Sequence, residues 1–238
     1  MSLYYQDEHV TLYHGDCREV MADMADESVK AVITDPPYTD RTHKKARANY
    51  GGGIREGITD FAHFTDEDLW DVLTECGRVS EGWVIATLDY KHAFKADENP
   101  PEGLKCQRLG VWVKLDPTPQ ITGDRPAQGW EAIAYLHREK GRSKWNGGGL
   151  HGNYVSKITR GEGHPTAKPL RMVEDWVTKF TNRGDTVLDP FAGSGTTLKA
   201  ARDAGRKAIG VELEVEERYC EIIAKRLDQQ VIDFEALM

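Results

Sequence analysis

Short apolar runs rich in β-branched residues alternate along the chain with longer segments of helical periodicity. The run Val29–Thr34 is almost entirely apolar, as expected of a parallel strand that is buried on both faces. We predict strands over residues 10–14, 29–34, 82–88, 107–115, 130–138, 185–189 and 207–213. We predict helices over residues 18–24, 65–79, 168–180, 194–205 and 214–227. Such alternation indicates an α/β fold, with a mainly parallel sheet covered by helices on both faces.

Length and composition are those of one globular domain. The 238 residues are 39% hydrophobic and 29% charged, which allows a core and a soluble surface. No apolar stretch reaches the roughly 18 residues of a membrane helix, and the polar, acidic start does not resemble a signal peptide. The cysteines are scattered without close pairs, which favours reduced thiols in a cytoplasm over disulfides or zinc. They are Cys17, Cys76, Cys106 and Cys220.

The tetrapeptide after the second predicted strand carries the first chemical signal. Asp35, Pro36, Pro37 and Tyr38 lie within the stretch VITDPPYTD. Because prolines lack an N–H and favour extended backbone before them, this loop presents acceptors, namely the Asp35 carboxylate and the Pro36 carbonyl. An exocyclic amino group offers matching donors, and the Tyr38 ring offers a face for a base. Asp-Pro alone can also be a simple turn.

A glycine-rich turn follows the predicted strand over residues 185–189. The stretch VLDPFAGSGTT has Leu198 next, where a dinucleotide fingerprint has its third glycine, which counts against a pyrophosphate at this turn. Glu212 ends the next strand, 17 residues after Gly195, and its carboxylate can accept both hydrogen bonds of a ribose diol. A tight strand–helix turn is the simpler interpretation of the glycines alone. Together these features favour a nucleoside without a phosphate cradle, a description that S-adenosylmethionine fits.

Asp35 and Asp189 each follow a predicted strand. Ligands of open α/β sheets bind at the carboxyl ends of the strands, at the point where the strand order reverses. If the two strands are neighbours at that point, both loops face one crevice. One loop then holds the nucleoside cofactor and the other holds the reacting amino group.

Over nearly its whole length, the chain resembles the amino-group DNA methyltransferases that use S-adenosylmethionine. DPPY at 35–38 matches their catalytic motif, DPFAGSGTT at 189–197 their cofactor motif, and HPTAKP at 164–169 the segment before the latter. The catalytic motif comes first, which is the circularly permuted order of the beta class. A large separate target-recognition domain is missing. The resemblance implies a Rossmann-like methyltransferase fold, with a mostly parallel seven-stranded sheet, helices on both faces and one antiparallel strand.

The resemblance also assigns site residues. The implied catalytic residues are Asp35, Pro36, Pro37 and Tyr38. The implied cofactor-binding residues are Asp16, Cys17, Asp35, Thr166, Lys168, Asp189, Phe191, Gly193, Ser194, Gly195, Thr196 and Glu212. Glu212 is expected to bind the ribose hydroxyls, Asp16 and Cys17 the adenine, and Thr166 and Lys168 the methionine carboxylate. No metal site is expected.

Two basic, glycine-containing segments contrast with the net charge of −8. Within a single domain over residues 1–238, we predict a mobile DNA-facing loop at 39–57 and a short target-recognition insertion at 137–163. On charge alone, a merely solubilising role is as good an interpretation. Basic, Asn and aromatic side chains can bind phosphates, read base edges or fill the gap left by a flipped base. The candidates are Arg41, Lys44, Lys45, Arg47, Arg142, Lys144, Trp145 and Asn146.

The resemblance implies methyl transfer to N6 of adenine in double-stranded DNA, because Asp is the usual first residue of the adenine motif. N4 of cytosine is the main alternative, since its amino group suits the same acceptors. RNA or protein substrates are less expected, because such enzymes normally carry the cofactor motif first. The missing third glycine and the DPPY loop argue against a nicotinamide dehydrogenase, and the intact motifs argue against a non-catalytic DNA-binding module.

Double-stranded DNA is therefore the expected partner, and no membrane partner is expected. A cytoplasmic location on a prokaryotic nucleoid, in a host or phage-encoded setting, follows from the resemblance. A homodimer, a cognate restriction endonuclease and the recognition sequence stay open at this point.

Overall fold

The computed structural model describes residues 1–37, 64–159, 167–213 and 218–228. The strands in these ranges are β1 (Ser2–Gln6), β2 (Val10–His14), β3 (Val29–Thr34), β4 (Ser80–Leu88), β5 (Leu104–Lys114), β6 (Trp130–Arg138), β7 (Tyr154–Ser156), β8 (Thr186–Asp189) and β9 (Lys207–Glu212). The helices are α1 (Cys17–Ala22), α2 (Asp66–Val79), α3 (Tyr90–Glu98), α4 (Leu170–Phe180), α5 (Thr196–Asp203) and α6 (Arg218–Asp228).

All the described strands join one sheet, in the order β1-β2-β9-β8-β3-β4-β6-β5-β7. The central strands β2, β9, β8, β3 and β4 are parallel, and β7 is parallel to β5. This arrangement confirms the predicted α/β fold with a mostly parallel sheet. The expected seven strands with one antiparallel strand were too few. The described residues form nine strands, of which β1 and β6 both run against their neighbours. β1 escaped prediction because it is a largely exposed edge strand without an apolar run.

The two faces of the sheet are covered by separate sets of helices. On β3 the alternation of side chains sends Ile33 into one core and Val32 into the other, as a strand with two buried faces requires. Helices α4, α5 and α6 pack on the Ile33 side around Trp176, and α1, α2 and α3 pack on the Val32 side around Leu73. None of the helices in the described ranges has both the length and the apolar character needed to cross a membrane.

The strand order reverses between β3 and β8, which are hydrogen-bonded neighbours with Ala31 opposite Val187 and Val32 opposite Leu188. From this seam the chain continues outward through β4 on one side and through β9 on the other. The carboxyl ends of β3, β4, β8 and β9 therefore meet at one edge, which we call the carboxyl edge. The prediction that the strands before Asp35 and Asp189 are neighbours is confirmed, and this edge is where such sheets bind ligands.

Candidate active site

Asp35 lies directly after β3 at the carboxyl edge, and both of its carboxylate oxygens are bound. The Thr87 hydroxyl, near the end of β4, donates to Oδ1, and the Lys168 ammonium donates to Oδ2 at 2.5 Å. The Asp35 side chain nevertheless remains 30% exposed. Because an ionised carboxylate has about four acceptor positions, it can still accept an N–H from a group that enters the crevice.

The Lys168 ammonium is buried between two carboxylates. Its Nζ lies 3.3 Å from Glu131 Oε2, and Glu131 Oε1 in turn accepts a hydrogen bond from Lys114 Nζ at 2.5 Å. Burial opposes the charge on Lys168, but Asp35 and Glu131 outweigh it and raise its pKa. Burial likewise opposes the charge on Glu131, but the two lysines lower its pKa. Lys114, Glu131, Lys168 and Asp35 thus form a row of alternating charges, which we call the ion-pair ladder.

The glycine-rich turn after β8 is shaped by Gly195, which precedes the first residue of α5. Gly195 has φ +76°, and its N–H donates to the Ala192 carbonyl at 2.7 Å. A Cβ atom at this position would lie 2.9 Å from Cγ1 of Ile223 on α6. Both the positive φ and the close packing therefore require glycine. The turn brings the backbone of residues 191–195 to the carboxyl edge.

Two carboxylates accept hydrogen bonds from backbone N–H groups of this turn. Glu212, which ends β9 and is 5% exposed, accepts a hydrogen bond from Gly193 N at 2.7 Å. Asp189, which ends β8, accepts one from Phe191 N at 3.2 Å. Burial raises the pKa of Asp189 to about 6, and the nearby Asp35 adds to the rise. Asp189 thus belongs to the framework of the turn, whereas Glu212 lies where a ribose was expected.

Asp16 and Cys17 lie beside Glu212, because Gly15 N donates to the Glu212 carbonyl at 2.9 Å. Asp16 caps α1 by accepting from Arg18 N, and it also pairs with the Arg18 guanidinium at 2.6 Å. Cys17 is buried, and burial raises the pKa of its thiol to about 12, so it is a neutral wall residue. The structure thus brings both residues to the expected side of the site.

Ser194 and Thr196 are placed differently from expectation. Their hydroxyl oxygens are buried 3.4 Å from each other. Arg226 of α6 donates to the Ser194 carbonyl at 3.2 Å and to the Thr196 hydroxyl at 3.4 Å. The Ser194 backbone and the Thr196 side chain therefore connect the turn to α6. Phe191 is half-buried, with the Phe64 ring packed edge-on at 5.8 Å between ring centres.

Several predicted site residues lie outside the described ranges, and their roles stay predictions. They are Tyr38, Arg41, Lys44, Lys45, Arg47 and Thr166. The predicted loop at 39–57 and the end of the predicted insertion, residues 160–163, lie there too.

The first part of the predicted recognition insertion lies at the edge of the sheet opposite the carboxyl edge. β6 runs against β4, so that Ala132 pairs with Leu88 at the carboxyl edge, while His137 pairs with Trp83 at the opposite edge. The residues after β6 continue from there, and Trp83 Nε1 donates to the Lys144 carbonyl at 2.7 Å. Five residues of strand correspond to about 17 Å. The predicted DNA contacts of Arg142, Lys144, Trp145 and Asn146 are therefore remote from Asp35.

Asn146 has a structural task at that opposite edge. Its amide nitrogen donates to the carbonyls of Thr178 and Thr181 at 3.1 and 3.0 Å, so it satisfies the open end of α4. Trp145 packs on Phe180, with 5.7 Å between ring centres, and donates to the Gly148 carbonyl. In the described structure both side chains have partners within the fold, and their reading of bases stays a prediction.

Three residues of the site escaped sequence reasoning, namely Thr87, Glu131 and Lys114. Each is a polar residue near one end of its strand. That position was the available signal, since a polar group at the carboxyl edge can face the crevice. The antiparallel pairing of β5 with β6, which brings Lys114 and Glu131 to the same edge as Asp35, was not foreseeable from either strand alone.

Comparisons with known proteins show which family the chain is similar to. Residues 122–225 match the model of the N6/N4 DNA methylase family. YubD of Escherichia coli K12, a protein named as a methylase, is 30% identical over 199 residues, which cover 84% of this chain and 82% of YubD. M2.DpnII of Streptococcus pneumoniae, a type II methyltransferase, is 28% identical over 258 residues, which cover 95% of this chain and 92% of M2.DpnII.

Solved structures give the same result for the fold. The M1.HpyAVI–SAM complex superposes with a TM-score of 0.67 at 26% identity, covering 91% of this chain and 99% of M1.HpyAVI. The PvuII DNA methyltransferase, described as cytosine-N4-specific, superposes with a TM-score of 0.73 at 16% identity, covering 99% and 92% of the two chains. These likenesses confirm the Rossmann-like methyltransferase fold. With the sequence matches across most of the chain, they show that the protein belongs to the amino-group DNA methyltransferase family.

Proposed function

We propose that the protein transfers a methyl group from S-adenosylmethionine to the exocyclic N6 of adenine in double-stranded DNA. One observation carries this proposal: the Asp35 carboxylate lies at the seam of the sheet, next to the strand that leads into the glycine-rich turn. A carboxylate acceptor and a nucleoside-type pocket are thereby supplied by adjacent loops. The complex of M1.HpyAVI with SAM supports the choice of cofactor.

The residues present fit S-adenosylmethionine. Glu212 is a buried carboxylate at the end of β9, where a ribose diol can donate to it, and the turn at Gly193 and Gly195 lets a ligand approach the backbone. Asp16 and Cys17 border the same end of the pocket. When bound, the cofactor supplies an electrophilic sulfonium methyl group.

The exocyclic amino nitrogen is a poor nucleophile, because its lone pair is delocalised into the ring. Hydrogen bonds from the amino group to Asp35 and to the Pro36 carbonyl favour a pyramidal nitrogen, whose lone pair can then form the N–C bond in line with the methyl–sulfur bond that would break. The methylated nitrogen would then release one N–H proton to water. Thr87 and Lys168 fix the orientation of the Asp35 carboxylate. Correct orientation of two bound reactants can supply on the order of 7–11 kcal/mol.

A base inside a duplex cannot reach Asp35, so the target base has to be flipped out, at a cost of a few kcal/mol. Stacking on Tyr38 is proposed to offset about 1–3 kcal/mol of that cost. Among the described residues, the loop at 115–129 lies at the carboxyl edge, between the end of β5 and the start of β6. We therefore propose this loop, together with residues 39–57, as the DNA-facing side. A nucleoid location, a homodimer and a partner nuclease stay proposals.

N4 of cytosine is the second candidate target, favoured by the likeness in fold to the cytosine-N4-specific PvuII enzyme. Adenine is preferred because Asp35 opens the DPPY motif. The deciding experiment is incubation of the full chain with unmethylated DNA and labelled S-adenosylmethionine, followed by nucleoside mass spectrometry. We expect N6-methyladenine. N4-methylcytosine as the sole product would show that cytosine, and not adenine, is the target base. Absence of any labelled nucleoside with DNA of diverse sequence would overturn the proposed function.

A further inference from the structure

Glu131 is a buried acid that belongs to neither of the two sequence motifs. It is the second residue of β6, its side chain is 13% exposed, and the next residue, Ala132, pairs with Leu88 at the carboxyl edge. Its Oε1 binds Lys114 and its Oε2 faces Lys168. Buried carboxylates are tolerated only where cations compensate them, and here two do. A buried carboxylate with two compensating lysines next to Asp35 indicates a role in the active site.

The ion-pair ladder is balanced, with two lysines and two carboxylates. Lys168 has three N–H donors, of which one is directed at Asp35 Oδ2, while Nζ also lies 3.3 Å from Glu131. The attraction of Lys168 is thus divided between two acids. Lys114 binds Oε1 of Glu131, so the Glu131 carboxylate is shared by two lysines and is not paired with Lys168 alone.

We infer that Glu131 is a positioning residue for the proposed methyl transfer, because it shares the Lys168 ammonium with Asp35 and leaves Asp35 able to accept the amino group of the target base. Glu131 touches neither base nor cofactor in this role, and acts through Lys168. The inference rests on the proposed function.

Loss of the Glu131 charge has a defined consequence at Lys168. The carboxylates that act on Lys168 are Asp35, which follows β3, and Glu131 on β6. Behind them, Lys114 on β5 acts on Glu131, and Asp189 at the end of β8 lies near Asp35. Without the Glu131 charge, burial is opposed by Asp35 alone. Lys168 must then either close fully on Asp35, which occupies an acceptor position, or lose its proton at a lower pH.

The test uses the full chain and the variant Glu131→Gln, with Glu139→Gln as a matched control. Glu139 is exposed and follows the other end of the same strand. In the methylation assay, Glu131→Gln is expected to lower kcat by about 10- to 100-fold, the usual result of a misplaced reacting group. The KM for S-adenosylmethionine should change less than kcat, since the expected ribose contact at Glu212 is kept and Lys168 borders the cofactor only at its methionine end. The control should match the wild type.

The pH profile separates positioning from a merely structural effect. In Glu131→Gln, the alkaline limb of kcat should move down by about one pH unit or more, because Lys168 loses one of two carboxylates. NMR titration of the Lys168 ammonium in lysine-labelled protein should show the same shift, and it needs no DNA. If Glu131→Gln does not fold, Glu131→Asp, which keeps the charge but withdraws it from Lys168, is measured for the same two quantities.

An unchanged kcat with an unchanged alkaline limb in an active enzyme would overturn the inference. So would a lowered kcat without any shift in the Lys168 titration. If the wild type methylates no DNA, the proposed function fails, and the NMR titration still decides whether Glu131 holds the charge on Lys168.

Discussion

Asp35 Oδ2 and Lys168 Nζ lie 2.5 Å apart, although 133 residues separate them along the chain. The first belongs to the DPPY motif and the second to the HPTAKP segment, which was expected at the methionine end of the cofactor. Their contact means that the acceptor for the base and the border of the cofactor site are one electrostatic unit. Substitutions at either residue should therefore affect catalysis before they affect cofactor binding.

Asp35→Ala should abolish methyl transfer while the Kd for S-adenosylmethionine stays within about tenfold, because the lost interaction is made mainly with the reacting amino group. Isothermal titration and a methylation assay measure the two quantities. Asp35→Asn is the isosteric control: it keeps one carbonyl oxygen but not the charge that holds Lys168, and it should also be strongly impaired. Wild-type turnover of Asp35→Ala would remove Asp35 from the mechanism.

Glu212→Ala should weaken the binding of S-adenosylmethionine by about 10- to 100-fold, since hydrogen bonds to a charged group contribute about 1.5–3 kcal/mol. Turnover at saturating cofactor should change far less. The variant also removes the acceptor of Gly193 N, so Glu212→Gln, which keeps an acceptor there, should bind better than Glu212→Ala. Equal affinity of wild type and Glu212→Ala would place the ribose elsewhere.

Gly195→Ala and Gly184→Ala form a matched pair. Both glycines have positive φ, +76° and +84°, but only at Gly195 would the new Cβ meet another residue, Ile223 at 2.9 Å. Each variant should lose about 1–2 kcal/mol through backbone strain, and Gly195→Ala about 1–3 kcal/mol more through overpacking. Denaturant unfolding measures the difference, and cofactor titration should show a loss only for Gly195→Ala. Equal free energies of unfolding for the two variants would mean that α6 shifts to make room for the new Cβ atom.

Asn146→Ala should lower stability by about 0.5–1.5 kcal/mol, because it removes side-chain hydrogen bonds to carbonyls at the end of α4 that water can partly replace. The KM for DNA and the site preference should be unchanged. Arg142→Ala, at an exposed neighbouring position, should change neither stability nor DNA binding. Thermal unfolding and a salt series of DNA binding test both. A changed site preference of Asn146→Ala at unchanged stability would support the prediction that Asn146 reads bases.

His92 should stabilise the protein more in mild acid than in alkali. Its Nδ1 lies 2.7 Å from Asp89 and its Nε2 3.0 Å from Asp66, so the imidazolium form can donate to both carboxylates. The hydrogen bond to Asp89, followed by that to Asp66, raises the pKa of His92. Burial would raise the pKa of Asp89, but the hydrogen bonds from His92 lower it to about 2.

A raised pKa in the folded state means that the His92 contribution is fully present below the unfolded pKa of about 6.5 and disappears as pH rises through the folded value. The Asp89 contribution is present above about pH 3.9 and is lost as pH falls toward 2. The Tm difference between wild type and His92→Gln should therefore be largest near pH 5–6 and shrink by pH 9. The exposed His151→Gln serves as control. A difference that is constant with pH would contradict this.

Elements whose conformation is determined by one short segment could be predicted from the sequence of that segment. Val29–Thr34 is mostly apolar, as expected of a buried parallel strand, and the general rule for ligand sites made β8 its expected neighbour. Gly195 was recognisable because a turn into a helix needs a positive φ. In each case one short segment contains the whole physical reason.

The rest depended on pairings between distant segments. β7 has three residues and exists because it lies beside β5, and α3 was missed although Asp89 caps it by accepting from Lys91 N and His92 N. The position of Asn146 followed from the antiparallel direction of β6, which carries the next residues to the far edge. Composition alone could not distinguish a helix cap from a DNA contact at that position.

The parallel pairing of β2 with β9, in which Val10 lies opposite Ala208, has a consequence for biosynthesis. Roughly 200 residues separate the partners, so at 5–20 residues per second the ribosome needs about 10–40 s to make β9 after β2 has been made. During that interval β2 has only β1 as a sheet partner, and the Asp16 end of the pocket has no Glu212 beside it. The nascent chain therefore gains its cofactor pocket only after β9 has been made, and until then one edge of β2 has no strand beside it.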